Sequence, residues 1–191
     1  MLTRKEFLKA ILLAAAAGST TLVQAQTASK TLVIYYSWSG NTRAMAEAIA
    51  KELKADIYEI RPITPYPEAY NATVDLAREQ LRQNARPAIQ KDVPDLSQYS
   101  TILLGTPNWW SHVAMPVFTF MDQNDLSGKV VLPFVSHGGG GMSGCEHDIR
   151  NKYPKADVPK QLPSKEGRFL LTKHELFHPL PLRISSQWGY R

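Results

Sequence analysis

A single cysteine, Cys145, stands in 191 residues, so no intrachain disulfide can form even where a compartment permits one. Stability must come from packing, and a thiol without a partner reads as a small packed residue rather than a redox centre. Long apolar runs are missing too. The stretch Ala10 to Gly18 falls well short of the ~20 residues that cross a bilayer. The chain has no GxSxG elbow for a serine hydrolase and no internal repeat. His174 and His178 share a helical spacing, but no carboxylate or cysteine motif accompanies them, so no metal site is expected. A basic stripe interleaved with aromatics is also lacking. The net charge is +5, yet residues 26–150 hold 11 basic and 13 acidic side chains, whereas residues 151–191 hold eight and three. The positive excess sits at the ends, which argues against nucleic acid as a partner.

What is present begins with a leader. Arg4, Lys5 and Lys9 precede the apolar run, and Val23-Gln24-Ala25 offers a small-residue cleavage site before Gln26, the pattern of a signal peptide over residues 1–25. Thr3 to Lys9 resembles a twin-arginine export motif with lysine in the second arginine position. The expectation is an exported protein of the bacterial periplasm, with no stable membrane span after the leader is removed.

Between Thr31 and Lys54 runs TLVIYY-SWSGNT-RAMAEAIAKELK: a β-branched and aromatic strand, six small or polar positions, then an apolar stripe at helical spacing. A strand that turns straight into a helix leaves backbone N–H groups at the helix start without partners, and the helix dipole adds partial positive charge there. Ser37, Ser39 and Thr42 add hydroxyls, Gly40 admits a close ligand, and Asn41 suits a strained turn. The loop has no lysine and no GxGxxG spacing, which separates it from nucleotide-hydrolysing and dinucleotide folds. Neutral donors alone point to a retained monophosphate cofactor. These residues resemble the flavodoxin family, whose first turn, S/T-x-S/T-G-N-T, grips the phosphate of FMN.

Farther along, Asp56 to Ile60 alternates as a short strand, and a proline-marked loop follows. Asn71 to Arg86 reads as a helix with an apolar stripe through Val74, Leu76, Ala77 and Leu81, stopped at Arg86-Pro87, and 88–98 reads as a loop. Tyr99 to Gly105 is a continuous apolar run, as a strand buried on both faces requires. Ala114 to Asp122 predicts a helix with proline in its first turn, and Val130 to Ser136 another strand, with Pro133 suggesting an edge or bulge. A last helix is predicted over 145–152. The alternation argues for an α/β fold with a right-handed, doubly wound parallel sheet, whose ligands bind at the carboxyl ends of the strands. Loops 37–42, 106–112 and 136–144 all leave such ends, so they should converge.

The 106–112 loop places Trp109 and Trp110 where an indole can stack on a flat ring, with Trp109 slightly favoured, and Thr106 and Asn108 as candidates for bonds to ring or ribityl groups. In the 136–144 loop, the run Gly138 to Gly141 loses so much freedom on folding that something must lie close to the backbone; the pyrimidine edge of a flavin is the expected occupant. His137 is a weak catalytic candidate for polarising flavin or donating a proton.

PYPEAYNATVDLAREQ, RPAIQ, LSQYSTILLGTPNWW, PVFTFMDQNDLSGK and PFVSHGGGG sharpen the likeness to the flavodoxin-like branch of small bacterial FMN-binding oxidoreductases, from about Leu32 to Asp157. The resemblance implies non-covalent FMN held by Ser37, Trp38, Ser39, Gly40, Asn41 and Thr42, by Pro107, Asn108, Trp109 and Trp110, and by Ser136, His137, Gly138, Gly139 and Gly140. It implies an oxidoreductase or electron carrier, with NAD(P)H as donor and a quinone-like acceptor or a redox partner protein. The alternative is a non-catalytic or degenerate flavodoxin-fold protein that binds FMN weakly or not at all. The likeness assigns residues 26–157 to the FMN-binding domain. It fails after Asp157, where a basic, proline-containing tail over 158–191 replaces the expected last strand and helix; only Arg168 to Thr172 and Leu182 to Ser185 offer short strands. The tail is either a divergent extension or an out-of-frame ending.

Overall fold

The computed structural model describes residues 30–159. The leader, His174, His178 and the tail from residue 160 lie outside the described residues. Strands β1 (Lys30–Tyr35), β2 (Asp56–Glu59), β3 (Tyr99–Trp109), β4 (His112–Val113) and β5 (Val130–Ser136) alternate with helices α1 (Asn41–Leu53), α2 (Tyr70–Arg82), α3 (Met115–Gln123) and α4 (Cys145–Lys152), and a short 3-10 turn covers Leu96–Gln98.

The parallel strands lie in the order β2-β1-β3-β5. Because β1 sends the chain outward to β2 and β3 returns on its other side, strand order reverses between β1 and β3, which is where such sheets bind ligands. Period-two alternation builds two cores. Leu32, Ile34, Ile102, Leu104, Val131 and Val135 face one way, onto a cluster with Val117, Phe120 and Ile149 of α3 and α4. Val33, Tyr35, Leu103 and Phe134 face the other way, onto Met45, Ala46 and Ile49 of α1. Gly105 has a packing reason: a Cβ there would stand 2.2 Å from the Phe134 ring of the neighbouring strand. Cys145 is fully buried, and burial pushes its thiol up to about 12, so it packs and does not react.

Two details differ from the sequence reading, and a third, at Pro133, settles between its two alternatives. The second helix begins at Tyr70 and ends at Arg82; of the expected stripe, Ala77 is buried and Val74 and Leu81 are partly buried, whereas Leu76 is exposed and Thr73 is buried in addition. Pro133 sits at an edge and not at a bulge: it lies in unbroken register opposite Leu104, on an outer strand whose far side carries, among the described residues, just the isolated Val130–Asp157 bridge. The strand at 99–105 runs on to Trp109 and folds back as a hairpin, β3-β4, pairing Trp109 with His112.

Candidate functional site

All three loops rise from the same end of the sheet, and hydrogen bonds join them. Thr42 Oγ1 and Ser136 Oγ lie 2.7 Å apart, linking the first loop to the end of β5 over the intervening β3. Asn108 donates from Nδ2 to Gly141 O at 2.8 Å and accepts from Ser111 N at 3.0 Å, while Gly144 N donates to Ser111 O at 2.9 Å. The hairpin is thereby fastened to the glycine loop.

In the first loop, Gly40 is the residue before α1, with φ of 84°, and no side chain caps the helix. The donors at its start therefore face outward. Ser37 Oγ is buried and has no hydrogen-bond partner among the described residues, although leaving such a group unpaired costs about 1–3 kcal/mol. Ser39 Oγ accepts from Asn41 Nδ2 at 2.9 Å, so its own hydrogen is free to donate. Thr42 is 1% exposed, and whichever hydroxyl donates in the Thr42–Ser136 pair, the other keeps a hydrogen for a ligand. A Cβ at Gly40, Gly138 or Gly139 would meet nothing within 4 Å: these glycines border open space, unlike Gly105. An orphaned buried hydroxyl beside an uncapped helix start suits an oxyanion, and the residues present fit a phosphorylated cofactor of the FMN type.

The walls are aromatic. Trp38 donates from Nε1 to Pro67 O at 2.9 Å and lies against Tyr70. Trp109 is half-buried, its ring edge-on to Tyr36 at 5.6 Å and Tyr66 at 4.9 Å. Trp110 is 44% exposed, with the Arg78 guanidinium 4.1 Å from its ring centroid. Burial pushes the phenols of Tyr36 and Tyr66 up, which keeps both neutral. Pro107 pairs with Ser136 in the sheet. His137 accepts from Gly139 N at Nδ1, 3.0 Å, a bond that shapes the glycine turn. Thr106 is corrected: it is fully buried, donates to Pro107 O at 2.9 Å and accepts from Ala114 N at 3.0 Å, so its hydroxyl is committed inside the protein.

The sequence reading missed a pair at the edge of this site. His112 Nδ1 lies 3.1 Å from both carboxylate oxygens of Asp148 on α4, and Val113 N donates to the same carboxylate at 3.1 Å. A separation of 36 residues leaves no local signal for it.

A family model for flavodoxin matches residues 30–175. Among curated proteins, an NAD(P)H dehydrogenase (quinone) of Cupriavidus metallidurans is 33% identical over 123 residues, and one of Gluconacetobacter diazotrophicus is 35% identical over 127; each match covers 58% of this chain and 60% of the relative. The chain thus spans about 60% of the length of these relatives. Among solved structures, a flavoprotein of Lactobacillus acidophilus in complex with FMN is 31% identical with a TM-score of 0.61, covering 69% of this chain and 90% of the other. A flavoprotein of Bacteroides uniformis is 30% identical with a TM-score of 0.64, covering 69% and 87%. With its doubly wound sheet, its converging loops and these matches, the chain belongs to the flavodoxin family.

Proposed function

We propose that this protein is an exported FMN-dependent oxidoreductase that takes electrons from a nicotinamide nucleotide and delivers them to a quinone-like acceptor. The observation that carries the reading is Ser37 Oγ, buried and without a hydrogen-bond partner among the described residues, beside a helix start that no side chain of those residues caps. Ser37, Ser39, Thr42 and the first backbone N–H groups of α1 would hold the phosphate, the tryptophan hairpin would flank the ring, and the open backbone at Gly138 and Gly139 would meet its polar edge. FMN supplies a ring that accepts electrons in pairs and releases them singly or in pairs. The protein's part is to bind it without spending a charged side chain on the phosphate.

The choice of nicotinamide donor and quinone acceptor rests on the named activity of the relatives. Export rests on the leader composition over residues 1–25. Purified full-length protein is expected to be yellow or to become so on titration with FMN, to bleach anaerobically with NADH or NADPH, and to recover its colour when a benzoquinone is added. Protein that folds but stays colourless through the titration would remove the reading. Cell fractionation tests export: the mature chain should begin near Gln26 and partition with the periplasm.

A further inference from the structure

Quinone reduction needs protons as well as electrons, and the oxidoreductase reading, on which this inference rests, leaves their source open. We infer that His112, oriented by Asp148, is the proton donor for the acceptor at the mouth of the site. Asp148 is the positioning residue.

The geometry starts with the hairpin. Trp110 and Ser111 are its two central residues, with φ of 56° and 68°, the left-handed combination that glycine or asparagine ordinarily supplies. Strain of this kind costs about 1–3 kcal/mol per residue and persists only where surroundings enforce it. Here they do: Ser111 N bonds Asn108 Oδ1, and Gly144 N bonds Ser111 O. The turn places His112 directly opposite Trp109, two residues past the exposed Trp110.

The carboxylate then fixes the ring. Asp148 has a side chain only 10% exposed, and that of His112 is 41% exposed. Val113 N occupies one oxygen, so the carboxylate can only accept from His112, which must carry a hydrogen on Nδ1 in both its neutral and charged forms. Nε2 is left without a bond among the described residues. With Nδ1 committed to the carboxylate, Nε2 is the nitrogen left to carry a transferable proton. Asp148 is the charged group bonded to His112 from α4; β3, also packed on β4, presents Asn108 and Trp109, which do not titrate.

Conversion of a quinone to its hydroquinone takes two electrons and two protons. The nicotinamide nucleotide yields the electron pair with one proton. For the second, the Nε2–H bond breaks as an O–H bond forms on the acceptor, and water returns a proton to Nε2.

His112→Asn separates this role from a structural one, because the asparagine amide can still donate to Asp148 while carrying no transferable proton. Its turnover with a benzoquinone should fall about 100-fold, while turnover with ferricyanide, which takes an electron and no proton, and FMN affinity stay as in the wild type. In Asp148→Asn the amide oxygen answers Val113 N and the NH2 faces the ring, so Nδ1 must accept. Imidazole 15N shifts at high pH should move from the Nδ1–H to the Nε2–H tautomer. Equal losses with both acceptors, no loss with either, or a wild-type ring that is Nε2–H would each overturn the inference. A wild type that reduces no quinone overturns the oxidoreductase reading, and the inference with it.

Discussion

At the scale of single residues, the site is marked by groups whose bonding is incomplete. Thr106 and Asn108 are satisfied within the protein, but Ser37 is not. Removing an orphaned hydroxyl takes away a desolvation cost in the free protein and a donor in the complex, so the two effects of Ser37→Ala have opposite signs. The unliganded variant should be as stable as the wild type or more stable in urea. Its FMN affinity should fall about 10- to 100-fold, since a hydrogen bond to a charged group contributes roughly 1.5–3 kcal/mol. Fluorescence titration measures the second effect. Unchanged affinity would mean that Ser37 faces no phosphate.

Between elements, a carboxylate on α3 gathers its neighbours. Asp122 accepts from Arg86, in the loop after α2, at 2.5 Å and from Lys152 of α4 at 2.6 Å. Burial alone pushes its carboxyl up, but the hydrogen bonds from Lys152 and Arg86 and their charges outweigh this and hold it below the usual 3.8. A depressed folded value means that the stabilisation is complete above the unfolded value and is lost as pH falls through the folded one. With the side chain 36% exposed, solvent screening limits the effect to about 1 kcal/mol or less. Asp122→Asn should therefore shift urea melts at pH 7, and the difference should close as pH falls below 3.8 and shrink in 1 M salt. A difference that persists at pH 2 would place the effect in packing. The elements themselves were legible where period and turn chemistry agree, as in β1, β5 and α4. The β3-β4 hairpin was hidden because Trp110 and Ser111 are not residues that announce a left-handed turn, and the exposure of Leu76 was hidden because an apolar residue beside the stripe of α2 reads as part of it. The same limit hid His112 and Asp148, which meet only after the hairpin and α4 are both in place.

Across the whole molecule, the candidate site is contributed by three strands that are far apart in the chain, β1, β3 and β5, so a ligand that bridges their loops exists only on the folded sheet. Binding of that kind stabilises the fold by mass action, about 2.7 kcal/mol at a hundredfold excess over the dissociation constant. For a domain of this size the midpoint should rise on the order of 10 °C. The convergence was foreseeable because strand ends in a doubly wound sheet lie together; the Thr42–Ser136 and Asn108–Gly141 bonds that join the loops were not, since each spans more than 30 residues. Riboflavin separates the parts of the site, as it carries the same ring without the phosphate. If neutral donors at the start of α1 form the cradle, FMN should raise the melting temperature much more than riboflavin at equal concentration, and Ser37→Ala should narrow that gap without changing the riboflavin response. Equal shifts from the two compounds would place the binding energy in the ring pocket alone and leave the first loop without the role argued for it.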